Sequence, residues 1–219
     1  MRSLGGQSEK LPRNWLEQFL RPKTAQPLRI GTRLIVSNVG GASVPSHILF
    51  IPAGAAFGTG EHATTAMSLR LLERVTRRLT NGWRMLDAGT GSGILALAGK
   101  RFGAGEVFAI DNDPMAISTA KRNAHGNGIK GIKFIAGDLT KRIGGKYEII
   151  TANLYSELLV SLLPRFRSGL SAQGRLIISG VLCDQEPRLK RALHVNRFQI
   201  HESRRRGKWI ALLAAPSAS

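Results

Sequence analysis

One segment constrains the fold of this chain more than any other, and it runs from Met85 to Ala98. It reads as a short apolar strand, an acidic residue, three glycines at alternate positions and then the start of a helix. In this order the segment forms a turn where backbone N–H groups and a helix N-terminus can meet a ligand, with the carboxylate of Asp87 close by. The sequence therefore predicts a ligand-binding strand–turn–helix unit, with an ordinary strand-to-helix turn as the alternative.

The spacing of the glycines favours one ligand over another. A dinucleotide fingerprint has the pattern G-x-G-x-x-G. Gly89, Gly91 and Gly93 instead follow G-x-G-x-G, and Ile94 takes the place of the last glycine. Asp87 would repel a diphosphate but would suit the ammonium of an amino-acid-like ligand. S-adenosylmethionine carries such an ammonium, a carboxylate for the helix amides and a ribose, so we expect this cofactor rather than NAD.

Strand and helix patterns alternate from Trp83 onwards. Strands are predicted at 84–88, 107–111, 133–136, 148–152 and 175–179, and helices at 94–102, 114–124, 156–170 and 186–194. Such alternation produces parallel pairing with right-handed crossovers, and therefore a doubly wound, Rossmann-like α/β sheet. A hairpin of 198–203 and 209–213 completes seven strands. An antiparallel hairpin that closes a parallel sheet is typical of class I methyltransferases.

The sequence as a whole predicts three regions and a short disordered tail. Residues 1–13 are expected to be disordered. Residues 14–55 should form a linker helix at 14–20 and a small β extension, with a hairpin around Gly31 and a strand at 48–51. Residues 56–215 should form the main domain, which begins with a glycine-rich loop at 56–60 and a helix at 62–79. The last five residues, 215–219, are expected to be disordered.

Two further acids follow predicted strands. Asp111 ends its strand about 20 residues after the glycine turn, where a carboxylate can accept both ribose hydroxyls. Asp138 follows the next strand, where it can accept a hydrogen bond from an adenine amino group. The carboxyl ends of all strands in an open α/β sheet line one crevice, so we expect Asp87, Asp111 and Asp138 to lie together. Asp113, before Pro114, is interpreted as a helix cap.

The fourth predicted strand of the main domain ends in Asn153. This strand end faces the methyl group in the fold proposed, and an asparagine there offers a carbonyl acceptor to the N–H of an amine nucleophile. The alternative is that Asn153 or Ser156 caps the following helix.

Three segments together resemble a known family. They are Ala-Phe-Gly-Thr-Gly-Glu-His-Ala-Thr-Thr at 56–65, Asp-Ala-Gly-Thr-Gly-Ser-Gly-Ile-Leu-Ala at 87–96 and Asn-Leu-Tyr at 153–155. From about Trp15 to Leu213 the chain is similar to the PrmA family, class I methyltransferases that methylate protein eleven of the large ribosomal subunit. The Phe-Gly-Thr-Gly loop is the most diagnostic segment. The resemblance implies an N-methyltransferase for lysine or terminal amino groups of a ribosomal protein.

The resemblance also implies roles for residues that match these motifs. It implies that five residues of the first segment close over the cofactor and that Asn153 lies at the transfer site, with Tyr155 as a second candidate catalytic residue. The full predicted cofactor-binding set is Phe57, Gly58, Thr59, Thr64, Thr65, Asp87, Gly89, Gly91, Gly93, Asp111, Asp138 and Asn153. No metal is expected, because the five histidines lack metal-ligand spacing. His62 is singled out only as part of the diagnostic loop.

Two departures from related enzymes keep other functions open. The family carries an N-terminal domain that captures the ribosomal protein, and this sequence begins about where the linker after it would lie. The segment Asn153-Leu154-Tyr155-Ser156 also lacks the prolines of the Asn/Asp-Pro-Pro-Tyr/Phe motif of enzymes that methylate exocyclic amines. The alternatives are an RNA or small-molecule methyltransferase on the same core, and a non-catalytic domain that binds the cofactor or RNA.

Composition adds expectations about partners and location. The 219 residues suffice for one sizeable α/β core. The net charge of +18 predicts attraction to polyanions, with RNA or the ribosome as partner, although a generally basic proteome would give the same charge. The single cysteine, Cys183, fits the reducing cytoplasm. No apolar run suits a membrane helix or an export signal, and a monomer is expected.

Overall fold

The computed structural model describes residues 26–39, 45–52, 62–141 and 144–217. The predicted disordered segment 1–13, the predicted helix 14–20 and the glycine-rich loop 56–60 lie outside the described residues. Phe57, Gly58 and Thr59 belong to that loop, so their predicted roles stay predictions. The proposed division of the chain into domains also stays a prediction.

The chain first forms a small three-stranded sheet, in the order β1-β2-β3. Its strands are β1 (Leu28–Ile30), β2 (Leu34–Ser37) and β3 (Ile48–Phe50). The predicted hairpin around Gly31 is confirmed, because β1 and β2 pair antiparallel, and β3 joins β2 in parallel. The Asn127 side chain fixes β3 to the main body: its Oδ1 accepts from the Phe50 N–H at 2.7 Å, and its Nδ2 donates to the Phe50 carbonyl at 2.7 Å.

The remaining strands form one seven-stranded sheet. They are β4 (Arg84–Ala88), β5 (Glu106–Asp111), β6 (Ile132–Ala136), β7 (Tyr147–Asn153), β8 (Leu170–Leu182), β9 (Phe198–Arg206) and β10 (Trp209–Pro216). The strand order is β6-β5-β4-β7-β8-β10-β9. Strands β4 to β8 pair in parallel, and β10 runs antiparallel between β8 and β9. This confirms the predicted doubly wound α/β sheet with a C-terminal antiparallel hairpin.

Helices cover both faces of this sheet. They are α1 (Ala63–Thr76), α2 (Ile94–Arg101), α3 (Pro114–Gly126), α4 (Ser156–Gly169) and α5 (Glu186–Val195). Neighbouring strand residues point to opposite faces. Ile149 and Ile177 therefore pack in one core with α1 and α2, whereas Ile150 and Ile178 pack in the other with α4 and α5. Within the described ranges, no helix has both the length and the apolar character needed to cross a membrane.

Helix α1 connects the two sheets. Leu69, Leu71 and Leu72 are fully buried, and the same core contains Ile30 and Leu49 of the small sheet. Burying each such side chain contributes about 1.5–3 kcal/mol, so this apolar contact stabilises the extension against the main sheet.

Two boundaries differ from the sequence prediction. Strand β8 begins at Leu170, before the predicted start at 175. Leu170 pairs with Tyr147 of β7, and the register then shifts, so that Arg175 pairs with Ile149 and residues 171–174 form an irregularity in the strand. The expected disorder of 215–219 is wrong for residues 215–217. Ala215 pairs with Gln199, Pro216 with Phe198, and the Ser217 N–H donates to the Arg197 carbonyl at 2.9 Å. Those hydrogen bonds hold the chain end against β9.

Candidate cofactor-binding and transfer site

A cavity of about 390 Å³ opens at the carboxyl ends of strands β4 to β7. This is the location where ligands bind in open α/β sheets, and the volume suits a small-molecule ligand. The wall comes from the loops after those four strands and from the starts of α1, α2 and α4. The lining residues are Thr65, Gly89, Thr90, Gly91, Ile94, Leu95, Asp111, Asn112, Asp138, Leu139, Thr140, Asn153, Leu154, Tyr155 and Leu158.

The glycine turn after β4 forms the floor of the cavity. Gly89 has a φ of 73°, and a Cβ added there would lie 2.3 Å from Cδ2 of Leu154. Only glycine fits this position without strain. Gly93 differs from Gly89 and Gly91 because it does not line the cavity. It has a φ of 83°, and an added Cβ would lie 2.9 Å from Cβ of Ala120, so it serves the close packing of α2 on α3.

The structure does not bring Asp87 to the cavity wall. Its side chain is 1 % exposed, and its oxygens accept hydrogen bonds from the protein itself. The hydroxyls of Thr90 and Thr151 donate to it at 2.7 Å each, and the Ala96 N–H donates at 3.2 Å. Asp87 is thus not among the lining residues, and its predicted contact with a ligand ammonium stays a prediction. Asp87 ties the glycine turn to β7 and to the first turn of α2.

Burial of Asp87 has an electrostatic consequence. Desolvation raises the pKa of Asp87 from 3.8 to about 6, against the opposing effect of the hydrogen bonds from Thr151, Thr90 and Ala96. Desolvation dominates because a carboxylate loses most of its hydration energy in a buried site.

Asp111 lies on the cavity wall, as the sequence predicts. Its Oδ2 accepts from the Gly91 N–H at 2.9 Å, and its Oδ1 accepts from the Asp113 N–H at 3.1 Å. Each oxygen of an ionised carboxylate has two lone pairs, so both keep the capacity to accept another hydrogen bond. Asp113 is a helix cap: its Oδ1 accepts from the Met115 N–H at 2.8 Å.

Asp138 also lines the cavity, and it is exposed. Its Oδ1 accepts from the Thr140 N–H at 2.7 Å, and the hydrogen bonds from Thr140 lower the pKa of Asp138. The side chain is therefore ionised at neutral pH. Of the three acids predicted to meet in one crevice, the structure brings together Asp111 and Asp138.

Asn153 lines the cavity at the end of β7, and its two amide atoms have different surroundings. Its Nδ2 donates to Oγ1 of Thr65 at 3.4 Å, whereas its Oδ1 is buried and has no hydrogen-bond partner among the described residues. A buried acceptor without a partner is uncommon and calls for a ligand or water. Asn153 does not cap α4, because Tyr155 occupies the cap position of that helix.

Three other predicted site residues differ from one another in their burial and in whether they line the cavity. Thr65 lines the cavity, but Thr64 is fully buried behind it, and its hydroxyl lies 2.8 Å from Nδ1 of His62. The His62 ring also contacts Trp209 edge to face, with ring centroids 5.0 Å apart. Tyr155 is on the wall but is 61 % exposed, so its predicted catalytic role stays a prediction.

Sequence reasoning missed part of the lining. Three polar and five apolar residues were not predicted: Thr90, Asn112, Thr140, Ile94, Leu95, Leu139, Leu154 and Leu158. A signal existed for some of them, because Asn112, Leu139 and Leu154 each directly follow a predicted site residue. The apolar positions of α2 and α4 carry the same periodicity as core residues, and this pattern does not separate the two uses.

Known proteins show the same fold. The structure of a ribosomal protein L11 methylase from Lactobacillus delbrueckii subsp. bulgaricus superposes with a TM-score of 0.77 at 32% identity, covering 88% of this chain and 99% of the other. A magnesium protoporphyrin IX methyltransferase from Synechocystis, solved with bound S-adenosylmethionine, shares the fold at 21% identity with a TM-score of 0.56. The strand order and the cavity at its carboxyl edge thus define a class I methyltransferase fold.

Sequence comparison identifies the family within this class. A family model described as "Ribosomal protein L11 methyltransferase (PrmA)" matches residues 9–216, and the chain belongs to this family. A ribosomal protein L11 methyltransferase from Lacticaseibacillus paracasei is 42% identical over 75% of this chain and 51% of its own length. The Thermus thermophilus enzyme of the same name is 36% identical over 91% of this chain and 76% of its own. The chain thus spans from half to three quarters of these two relatives' lengths.

Proposed function

We propose that this chain transfers the methyl group of S-adenosylmethionine to an amine nitrogen of a ribosomal protein. One observation carries the proposal: a single cavity at the carboxyl edge of the sheet presents both Asp111 and the unpartnered Oδ1 of Asn153. The first can hold a ribose and the second can accept an N–H. Membership of the PrmA family supports the same reaction.

The residues of the cavity fit the proposed cofactor. The free lone pairs of Asp111 would accept the ribose hydroxyls, and Asp138 beside the apolar Leu139 would receive the adenine. The turn at Gly89 and Gly91 lets the backbone approach the amino-acid portion at the start of α2. Asp87 would act on this portion through the glycine turn that its hydrogen bonds hold in place.

The chain's contribution to transfer is alignment of the nucleophile. When bound, S-adenosylmethionine supplies a methyl group on a positively charged sulfur, which a neutral amine can attack. A lysine with a pKa near ~10.4 is disfavoured in its neutral form by about 4–5 kcal/mol at neutral pH, so its proton must leave to solvent first. The Asn153 Oδ1 would accept a remaining N–H and orient the nitrogen lone pair. Such positioning accounts for much of the rate of enzymatic group transfer.

The substrate is proposed from the relatives. The curated proteins that the chain matches are named for ribosomal protein L11, and the favoured acceptors are its lysine and terminal amino groups. Such a substrate would place the activity in the cytoplasm, where ribosomes assemble. With a net charge of +18, the chain would meet a lysine-rich protein more readily on RNA than free in solution, and transfer would then slow as salt rises.

Transfer of a labelled methyl group tests this proposal. The chain is incubated with methyl-labelled S-adenosylmethionine and, separately, with ribosomal protein L11, an L11–ribosomal RNA complex, deproteinised RNA and a metabolite extract. We expect label in L11, with faster transfer in the RNA complex. Label in RNA or metabolites alone would show one of the other methyltransferases, and cofactor binding without any transfer would show the non-catalytic alternative.

A further inference from the structure

Arginines from two separate elements meet on one surface at the edge of the sheet. Arg70 and Arg74 lie one turn apart on α1, about 6 Å along its axis, and Arg78 follows just after the helix ends. Arg204 and Arg206 lie on β9, the edge strand, against which α1 packs. We call these five residues the arginine face.

The arginines on the two sides of β9 differ in how far their charges are neutralised. Side chains alternate along a strand, so Arg205 lies opposite to Arg204 and Arg206. On the side of Arg205, Glu186 of α5 neutralises the guanidinium through bonds of 3.0 and 2.5 Å and also pairs with Lys190. On the side of α1, by contrast, positive charge accumulates.

Within the described residues, one acidic side chain forms ion pairs with the arginine face. Glu202 pairs with both Arg74 and Arg204, and it thereby joins α1 to β9. Arg70, Arg78 and Arg206 form no ion pair in the described part of the chain. Burial lowers the pKa of Arg70, and the neighbouring Arg206 and Arg204 lower it further, so the cations of this face repel one another. An anion bound there would relieve this repulsion.

We propose that the arginine face binds the phosphate backbone of an RNA strand. Guanidinium groups match phosphate oxygens with two parallel hydrogen bonds, and the face offers them in a row rather than as a single pocket. The net charge of +18 draws a polyanion to the chain from a distance. A strand of RNA provides one phosphate per nucleotide along such a row.

The face also lies beside the candidate transfer site. Its Arg206 end adjoins Trp209, which pairs with Arg206 across the hairpin and contacts the His62 ring at the start of α1. Three residues further, Thr65 lines the cavity. RNA on this face would therefore pass near the opening of the cavity. The proposal does not depend on methyl transfer, since RNA binding is measured without cofactor.

Salt-dependent binding to a labelled oligonucleotide tests the proposal. The probe is a fluorescein-labelled single-stranded uridine RNA, titrated by anisotropy between about 50 and about 200 mM salt. In the variant Arg70→Gln/Arg78→Gln/Arg206→Gln we expect at least about tenfold weaker binding at low salt. The slope of log K against log salt should become shallower by about 2, at about 0.7 per lost phosphate contact.

A matched variant removes the same charge elsewhere. Lys121, Arg122 and Lys130 are exposed on and after α3, near β6 at the opposite edge of the sheet. Their replacement by Gln should leave the slope within about 0.5 of wild type if contacts concentrate on the arginine face. Equal losses in the two variants, or an unchanged slope in the first, would overturn the proposal.

A second pair of variants covers the case in which the triple variant does not fold, since Arg70 is partly buried. Arg78→Gln/Arg206→Gln replaces two exposed residues, with Lys121→Gln/Arg122→Gln as control, and should flatten the slope by about 1.4.

Polyglutamate serves as a competitor. Tighter binding of polyglutamate than of RNA at equal charge concentration would show an acidic polypeptide as the partner instead. A cooperative urea-unfolding transition like that of wild type shows that each variant is folded.

Discussion

Asn153 donates its Nδ2 to Oγ1 of Thr65, across 3.4 Å between the end of β7 and the first turn of α1. The bond fixes which way the amide faces, and it leaves Oδ1 buried and unpartnered beside the cavity. Two elements distant in the sequence are thus needed to present one acceptor atom. The position of α1 therefore determines which atom of the Asn153 amide faces the cavity.

Replacing Asn153 by Ala removes the acceptor and should slow methyl transfer about 100-fold, because a misplaced nucleophile loses orientation. S-adenosylhomocysteine should bind within about tenfold of wild type, since one neutral hydrogen bond contributes about 1 kcal/mol. Single-turnover transfer and calorimetric titration measure the two effects.

Thr65→Val provides the companion variant. It removes the partner of the Asn153 amide but leaves the acceptor in place, and we expect a loss of transfer of about tenfold, smaller than for Asn153→Ala. Wild-type transfer by Asn153→Ala would show that the amide is not used.

Gly89→Ala should destabilise the fold through a specific clash. The left-handed φ of 73° costs any L side chain about 1 kcal/mol, and the contact with Leu154 adds about 1–3 kcal/mol. Gly128→Ala is the control, because Gly128 has a similar φ of 61° and open space around its Cβ. Urea unfolding should give the larger loss for Gly89→Ala, with partial recovery in Gly89→Ala/Leu154→Ala. Equal losses for the two alanines would contradict the packing described.

Asp87 should make stability depend on pH. Burial raises the pKa of Asp87 to about 6 in the folded chain, so the native state binds this proton more tightly than the unfolded chain does. Its contribution to stability is fully present below the ordinary value of 3.8, and it is lost as the pH rises through 6.

Urea unfolding of wild type and Asp87→Asn isolates this contribution. Between pH 7 and pH 4, the wild type should gain about 2 kcal/mol relative to the variant, which lacks the titrating group. A free-energy difference between the two proteins that stays constant over this range would show that the carboxyl has an ordinary pKa.

The sequence predicts which strands form the sheet better than it predicts where each strand begins and ends. Strand β4 falls at 84–88 as predicted, because an apolar run there is closed by Gly89. The start of β8 and the end of β10 were missed for a different reason. Residues 171–174 carry no strand pattern and lie at a register shift between β7 and β8. Ala215-Pro216 carry none either, and their pairing with β9 holds them in place.

The sequence predicts where the candidate site lies, but not the hydrogen bonds that orient its side chains. Strand-end positions placed Asp111, Asp138 and Asn153 on one edge, and the cavity contains all three. The same rule gives the position of Asp87 along its strand but not its hydrogen-bond partners. Thr90 and Thr151 engage that carboxylate, and their approach depends on the packing of α2 and β7.

Calorimetry tests the central claim, that the cavity binds S-adenosylmethionine through Asp111. S-adenosylhomocysteine and NAD are titrated into wild type, Asp111→Ala and the control Asp113→Ala, which alters only a helix cap. We predict binding of S-adenosylhomocysteine and not of NAD, weakened about 10- to 100-fold in Asp111→Ala and unchanged in Asp113→Ala. Binding of NAD instead, or wild-type affinity in Asp111→Ala, would contradict the account.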